Sequence, residues 1–199
     1  MTEGEVPVTL RSEGDERPVF WYLTLSAQPA GEHPQPVDQG FTVERWFEDP
    51  ETGEPVTSAV EGDLVRVKIK VTAPTDREMV VVEDGLPAGL EVVDLSLRTV
   101  SPNGPGSSGL ESMVPADQRT RFGRWDYGWW SPWDHKEFED ERVIYSATVL
   151  WKGTYTMAYL ARATTAGSYL YPPTHAEEMY NPGVNGRSGG GTFTVSPKE

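Results

Sequence analysis

The stretch Leu64-Val65-Arg66-Val67-Lys68-Ile69-Lys70-Val71 decides the fold. Val65, Val67, Ile69 and Val71 fall on one face of an extended chain, and Arg66, Lys68 and Lys70 on the other. Strict two-residue alternation of this kind marks an antiparallel strand with one face buried and one wet. Working outward, the same signature predicts strands over Val19–Leu25, Phe41–Phe47, Met79–Glu83, Leu90–Leu97, Val143–Trp151, Thr154–Ala163, Ser168–Tyr171 and Thr192–Val195, about nine in all. Turn chemistry lies between them: Asp49-Pro50-Glu51-Thr52-Gly53, Glu61-Gly62-Asp63, Leu86-Pro87-Ala88-Gly89, Lys152-Gly153 and Ala166-Gly167. No long window carries an apolar helical stripe, and a single helical turn fits only near Ala176–Tyr180. The pattern predicts an all-β chain, an antiparallel β-sandwich with Greek-key connections and long loops.

Composition agrees. In 199 residues, 37% hydrophobic, seven Trp, eight Tyr and six Phe supply one good-sized core, while 20 Gly and 17 Pro supply turns. A formal charge of −14 repels phosphate backbones and anionic lipid, and no basic stripe offsets it, so no nucleic acid partner is expected. No apolar run approaches the length of a membrane span, so no direct membrane insertion is expected either. With no cysteine there is no disulfide, thiolate nucleophile or thiolate metal site. Two segments break the strand rhythm. Gln28–Pro36, with Pro29, Pro34 and Pro36, reads as a linker, dividing the chain into an N-terminal β segment over 1–36 and a sandwich over 37–199. Ser101–Arg121, rich in Gly, Pro and Ser, reads as a long mobile surface loop.

Catalytic signatures are missing. There is no Gly-x-Ser-x-Gly elbow, no His-Glu-x-x-His and no phosphate-cradling loop before a helix, since Gly186-Arg187-Ser188-Gly189-Gly190-Gly191 reads as a turn before a strand. The adjacent carboxylates Glu177 and Glu178 cannot face each other across a substrate. His33, His135 and His175 lack paired ligand spacing, and Asp134 to Glu141 reads as a solvated acidic loop, so neither metal nor cofactor is expected and the chain is read as a non-enzyme. Four of the seven tryptophans, Trp125, Trp129, Trp130 and Trp133, gather with Tyr127. They can stack on sugar rings, as an envelope carbohydrate-binding or adhesion module would require, or cover a sandwich edge against a neighbouring domain, with Trp129, Trp130 and Trp133 as interface aromatics.

One more segment stands out. Ala176-Glu177-Glu178-Met179-Tyr180-Asn181-Pro182 places two large side chains where turn chemistry asks for small polar ones. Met179 and Tyr180 either stand exposed to press against a partner or pack into the chain's own core.

A series of motifs then carries a resemblance: Gly40-Phe41-Thr42-Val43-Glu44-Arg45; Glu83-Asp84-Gly85-Leu86-Pro87-Ala88-Gly89-Leu90-Glu91; Trp133-Asp134-His135 leading to Glu139-Asp140-Glu141-Arg142-Val143; Gly153-Thr154-Tyr155 with Tyr159-Leu160-Ala161-Arg162-Ala163; and Glu178-Met179-Tyr180 with Pro182 and Gly186-Arg187. In this order, from Gly40 onward, they resemble the C-terminal macroglobulin-like domain of bacterial alpha-2-macroglobulins. The resemblance implies the last sandwich of a large protease trap of the periplasm or bacterial cell envelope, in which bait cleavage exposes a thioester that captures the protease. It implies that Met179 and Tyr180 shield that thioester from a neighbouring domain, and that the partners are the thioester domain and the preceding macroglobulin-like domain of the same parent chain, together with the proteases the parent traps. Residues 1–36 would complete that preceding domain. Gly85 and the Trp129-Trp130 insertion depart from the family pattern.

Overall fold

The computed structural model describes residues 33–93 and 132–198, together with Thr9, Phe20, Tyr22 and Thr24. Contacts group the chain into two units, Met1–Glu32 and His33–Glu199. In the first, Phe20 and Tyr22 are both 92% exposed and Thr24 is exposed as well; none of the three belongs to a strand, and the other residues of the expected Val19–Leu25 strand lie outside the described residues.

The described residues of the second unit form β1 (Val37–Gln39), β2 (Thr42–Glu48), β3 (Pro55–Val56), β4 (Ser58–Val60), β5 (Leu64–Ala73), β6 (Arg77–Gly85), β7 (Leu90–Val93), β8 (His135–Phe138), β9 (Arg142–Leu150), β10 (Gly153–Ala163), β11 (Gly167–Tyr171), β12 (His175–Glu178), β13 (Asn181–Arg187) and β14 (Gly191–Ser196). They make a six-stranded sheet in the order β1-β13-β12-β6-β9-β8, a five-stranded sheet β3-β2-β5-β10-β7, and a three-stranded sheet β11-β14-β4. Every pairing is antiparallel except the short β14–β4 ladder, which is parallel. The open sandwich matches the expected fold class.

The alternating faces explain the layering. Val65, Val67, Ile69 and Val71 of β5 are buried, as are Tyr155, Met157, Tyr159 and Ala161 of β10 beside it. Opposite them lie Val80 and Val82 of β6 and Val143, Tyr145 and Ala147 of β9, so the two inner faces share one core. The other face of β5 is wet only in part: Lys70 Nζ meets the exposed Glu44 Oε2 at 2.6 Å, whereas Lys68 Nζ meets the buried Glu48 Oε2 at 3.2 Å across the β2–β5 ladder, and Arg66, expected on the wet side, is buried.

The structure departs from the expected pattern at four further places. His135–Phe138 is not part of an acidic loop but an exposed edge strand on β9. The segment near Ala176 is strand β12, with no helical turn, because β6 and β13 supply its ladder partners on both sides. Gly186-Arg187 ends β13 rather than forming a turn. Trp133 is not an interface aromatic: it is 4% exposed and lies in the core, its ring centroid 5.7 Å from that of Tyr145 and 6.2 Å from that of Tyr155. Gly85 has a local cause, since a Cβ there would stand 2.6 Å from Pro172 Cγ. The Ser101–Arg121 loop, Trp125, Tyr127, Trp129 and Trp130 lie outside the described residues.

Candidate functional site

The β12–β13 hairpin carries the large side chains that the sequence singled out. Glu178 pairs with Asn181, so Met179 and Tyr180 are the whole of a two-residue turn. Two-residue hairpin turns normally use left-handed backbone and therefore Gly or Asn. Neither Met179 nor Tyr180 is left-handed, and the strand register slips instead, with Glu177 facing Asn185 and Pro182, Gly183 and Val184 making up the difference. The Asn185 side-chain amide closes this bulge by donating to the Pro182 carbonyl at 2.9 Å.

The turn presents its side chains outward. Met179 is 45% exposed and Tyr180 81%. The Met179 N–H donates to the Met79 carbonyl on β6 at 2.9 Å, which extends the β6–β12 ladder one residue beyond Glu178. Below the turn, Arg77 Nη1 lies 3.7 Å from Glu178 Oε1, its Nη2 donates to the Gly40 carbonyl at 3.1 Å, and its guanidinium stacks 5.4 Å from the Phe41 ring. Gly40 has to be glycine for this arrangement: its φ is +117°, and a Cβ would lie 2.8 Å from Arg77 Nη2 and 2.9 Å from Val184 Cγ1.

The root of the hairpin is held from within the sandwich. Asp84, fully buried on β6, accepts from Arg45 Nη1 at 2.7 Å, from Thr174 Oγ1 at 2.6 Å and from Tyr159 Oη at 2.6 Å. Arg45 also donates to the Gly85 and Pro172 carbonyls, at 2.9 and 2.7 Å, and its guanidinium stacks 4.4 Å from the Tyr171 ring. Burial first, and then the neighbouring Asp84 carboxylate, push the Tyr159 phenol well above its ordinary range, so it stays a neutral donor. Thr174, which leads into β12, exchanges hydrogen bonds with Ser188 beyond β13: its N–H donates to Ser188 Oγ and its carbonyl accepts the Ser188 N–H, both at 3.0 Å. A buried, charge-assisted network thus fixes where the hairpin leaves the core.

Chemically, the tip is a flexible thioether beside a rigid phenol. It can cover an apolar surface. Among the described residues no group of three His, Asp or Glu side chains could hold a metal. The sequence pattern singles out Met179 and Tyr180 but not Met79, Arg77 or Asp84, which the fold places around them. Only Asp84 left a trace, as a carboxylate at an inward position of the β6 alternation.

A family model, the bacterial alpha-2-macroglobulin MG10 domain, matches residues 40–183. The chain belongs to that family. Its relatives include the alpha-2-macroglobulin of Xylella fastidiosa, 31% identical over 150 residues that cover 74% of this chain and 8% of the relative. That of Escherichia coli is 29% identical over 178 residues, covering 88% and 10%. Among solved structures, trypsin-activated alpha-2-macroglobulin from E. coli superposes with a TM-score of 0.65 at 26% identity, covering 82% of this chain and 11% of that one. Methylamine-reacted Salmonella alpha-2-macroglobulin gives 0.63 at 27%, covering 84% and 10%. This MG10 domain chain therefore spans about a tenth of the length of these relatives. The matched region ends just past the Met179–Tyr180 turn and takes in nearly every residue that supports it.

Proposed function

We propose that the chain is the C-terminal, non-catalytic domain of a bacterial alpha-2-macroglobulin protease trap, and that its Met179–Tyr180 tip packs against the thioester domain of the same parent and shields the thioester until the bait region is cut. The observation that carries this is the exposure of Met179 and Tyr180 on a hairpin whose root is locked into the core. Exposed apolar groups on a rigid support lose little entropy on docking, and a thioester lasts only where water and amines are kept away. Having no cysteine, this chain cannot supply the thioester, which must lie elsewhere in the parent. Solved relatives include an E. coli protein activated by trypsin and a Salmonella protein reacted with methylamine, the proteolytic and aminolytic encounters that such a trap meets.

The sandwich over 37–199 is the module, and residues 1–36 complete the preceding macroglobulin-like domain. Phe20 and Tyr22 support this, being large aromatics left open to solvent that would be covered there. The parent works in the periplasm or cell envelope and engages the proteases it traps. The sugar-binding alternative is weakened, because Trp133 is core.

A photo-crosslinking side chain placed at position 180 of the intact parent tests the docking. It joins the thioester domain before bait cleavage and loses that product afterwards. Crosslinking that is indifferent to cleavage, or directed elsewhere, contradicts the reading.

A further inference from the structure

The backbone of Met79 is the feature of the site that its role as a strand residue does not explain. Among the described residues it is the one non-glycine with a positive φ, +51°. A side chain in this left-handed region crowds the following carbonyl, so the conformation persists only where the surroundings impose it, and it gathers at functional places.

Its effect can be read from burial. Along β6, Asp84, Val82 and Val80 all point inward and are fully buried. Continued alternation would bring Glu78 inward as well. Instead Glu78 and Met79 are both exposed, and Arg77 takes the inward side, over the Phe41 ring. The facing strand shifts in step: Val143, Tyr145 and Ala147 are inward, Thr148 and Val149 are both exposed, and Leu150 is inward again. The left-handed residue therefore switches the face of β6, as a bulge would.

Both handles on the exposed turn come from this switch. The Met79 carbonyl receives the Met179 N–H at 2.9 Å, and Arg77, brought to the same side, sits 3.7 Å from Glu178. We propose that Met79 is a positioning residue for the Met179–Tyr180 tip, its left-handed backbone supplying the carbonyl and the strand switch that set where the tip stands. This rests on the shielding reading only for its consequence in the parent. The anchoring itself can be tested without it.

Two variants separate backbone from side chain. Glycine adopts positive φ freely, so Met79→Gly keeps the switch and removes the thioether, whereas β-branched Met79→Val opposes it. By hydrogen exchange on the 199-residue chain, Met79→Val lowers protection of the Met179 amide by about tenfold or more while central β5 amides hold. Met79→Gly keeps Met179 protection within about twofold of wild type. Wild-type protection in Met79→Val overturns the proposal. So does a tenfold loss in Met79→Gly, which decides the matter even if the valine variant fails to fold.

In the parent, methylamine consumption of the thioester before any protease is added gives the functional arm, with Tyr180→Gly as reference. Acceleration in both Tyr180→Gly and Met79→Val, with Met79→Gly near wild type, supports the positioning role. Acceleration in Tyr180→Gly alone overturns it. If Tyr180→Gly itself is silent, the shielding reading falls, and the exchange data still decide whether Met79 anchors the turn.

Discussion

Asp84 and Arg45 meet as an ion pair 2.7 Å long with side chains 0% and 1% exposed, and the same carboxylate receives Thr174 and Tyr159. A charge pair this deep is tolerated because its remaining donors and acceptors are nearly all matched, and removing one partner strands the other. Asp84→Asn is therefore expected to lower unfolding stability by about 3–5 kcal/mol. Urea unfolding checks it, and a loss below about 1 kcal/mol would contradict the network's role. Because Thr174 leads into β12, the variant should also loosen the Met179–Tyr180 hairpin before the rest of the sheet.

The phenols of Tyr159 and Tyr145 are both pushed up, by burial first and by Asp84 second. In the unfolded chain they release protons near pH 10, whereas in the fold they keep them. The unfolded state then binds fewer protons, so stability that is complete below about pH 10 is lost as pH rises beyond it, by up to about 1.4 kcal/mol per pH unit for each phenol. Tyr159→Phe removes one phenol's share of that slope, and it costs about 1–3 kcal/mol at neutral pH because an Asp84 oxygen loses its donor. Urea titrations between pH 9 and 11 compare the slopes, and equal slopes would contradict the assignment.

Gly186→Ala tests the close approach of β13 to the core. A Cβ there would lie against the Phe41 carbonyl oxygen at a distance no real contact reaches, so backbone must move. The expected cost is about 3 kcal/mol. Gly53→Ala is the comparison: its φ is +73° but nothing lies within 4 Å of the new carbon, so only the conformational penalty remains, about 1 kcal/mol. Thermal melts that rank the two the other way would contradict the packing at Gly186.

Trp133→Ala should cost about 3–5 kcal/mol, as the loss of a buried aromatic does. Glycan titrations followed by fluorescence should show no contribution from this ring. A neutral effect on stability, or a glycan response lost with it, would restore Trp133 to the surface.

The long core strands were legible because local pattern and tertiary environment agree in them. Val65, Val67, Ile69 and Val71 alternate in the sequence and are all buried in the fold. The strands that went unread have no such pattern. β12 buries only Ala176 of its four residues, β13 reads Asn-Pro-Gly-Val-Asn-Gly-Arg, and β8 is exposed at all four positions. Their extended state comes from neighbours that supply ladder partners, which outweigh weak intrinsic preference. Met179 and Tyr180 were visible because bulky residues at a turn contradict turn chemistry. Met79 was invisible, since Glu78-Met79-Val80-Val81-Val82 reads as an ordinary strand and nothing in it announces a left-handed residue.

If the exposed tip keeps a neighbouring domain's thioester dry, as proposed, removing it speeds attack on that bond. The direct measurement is the rate at which methylamine consumes the thioester of the intact parent before any protease is added, in wild type and in Tyr180→Gly. Loss of the ring should raise that rate roughly tenfold or more, the factor that about 1.4 kcal/mol of lost protection yields. A Tyr180→Gly parent that reacts at the wild-type rate would contradict the account.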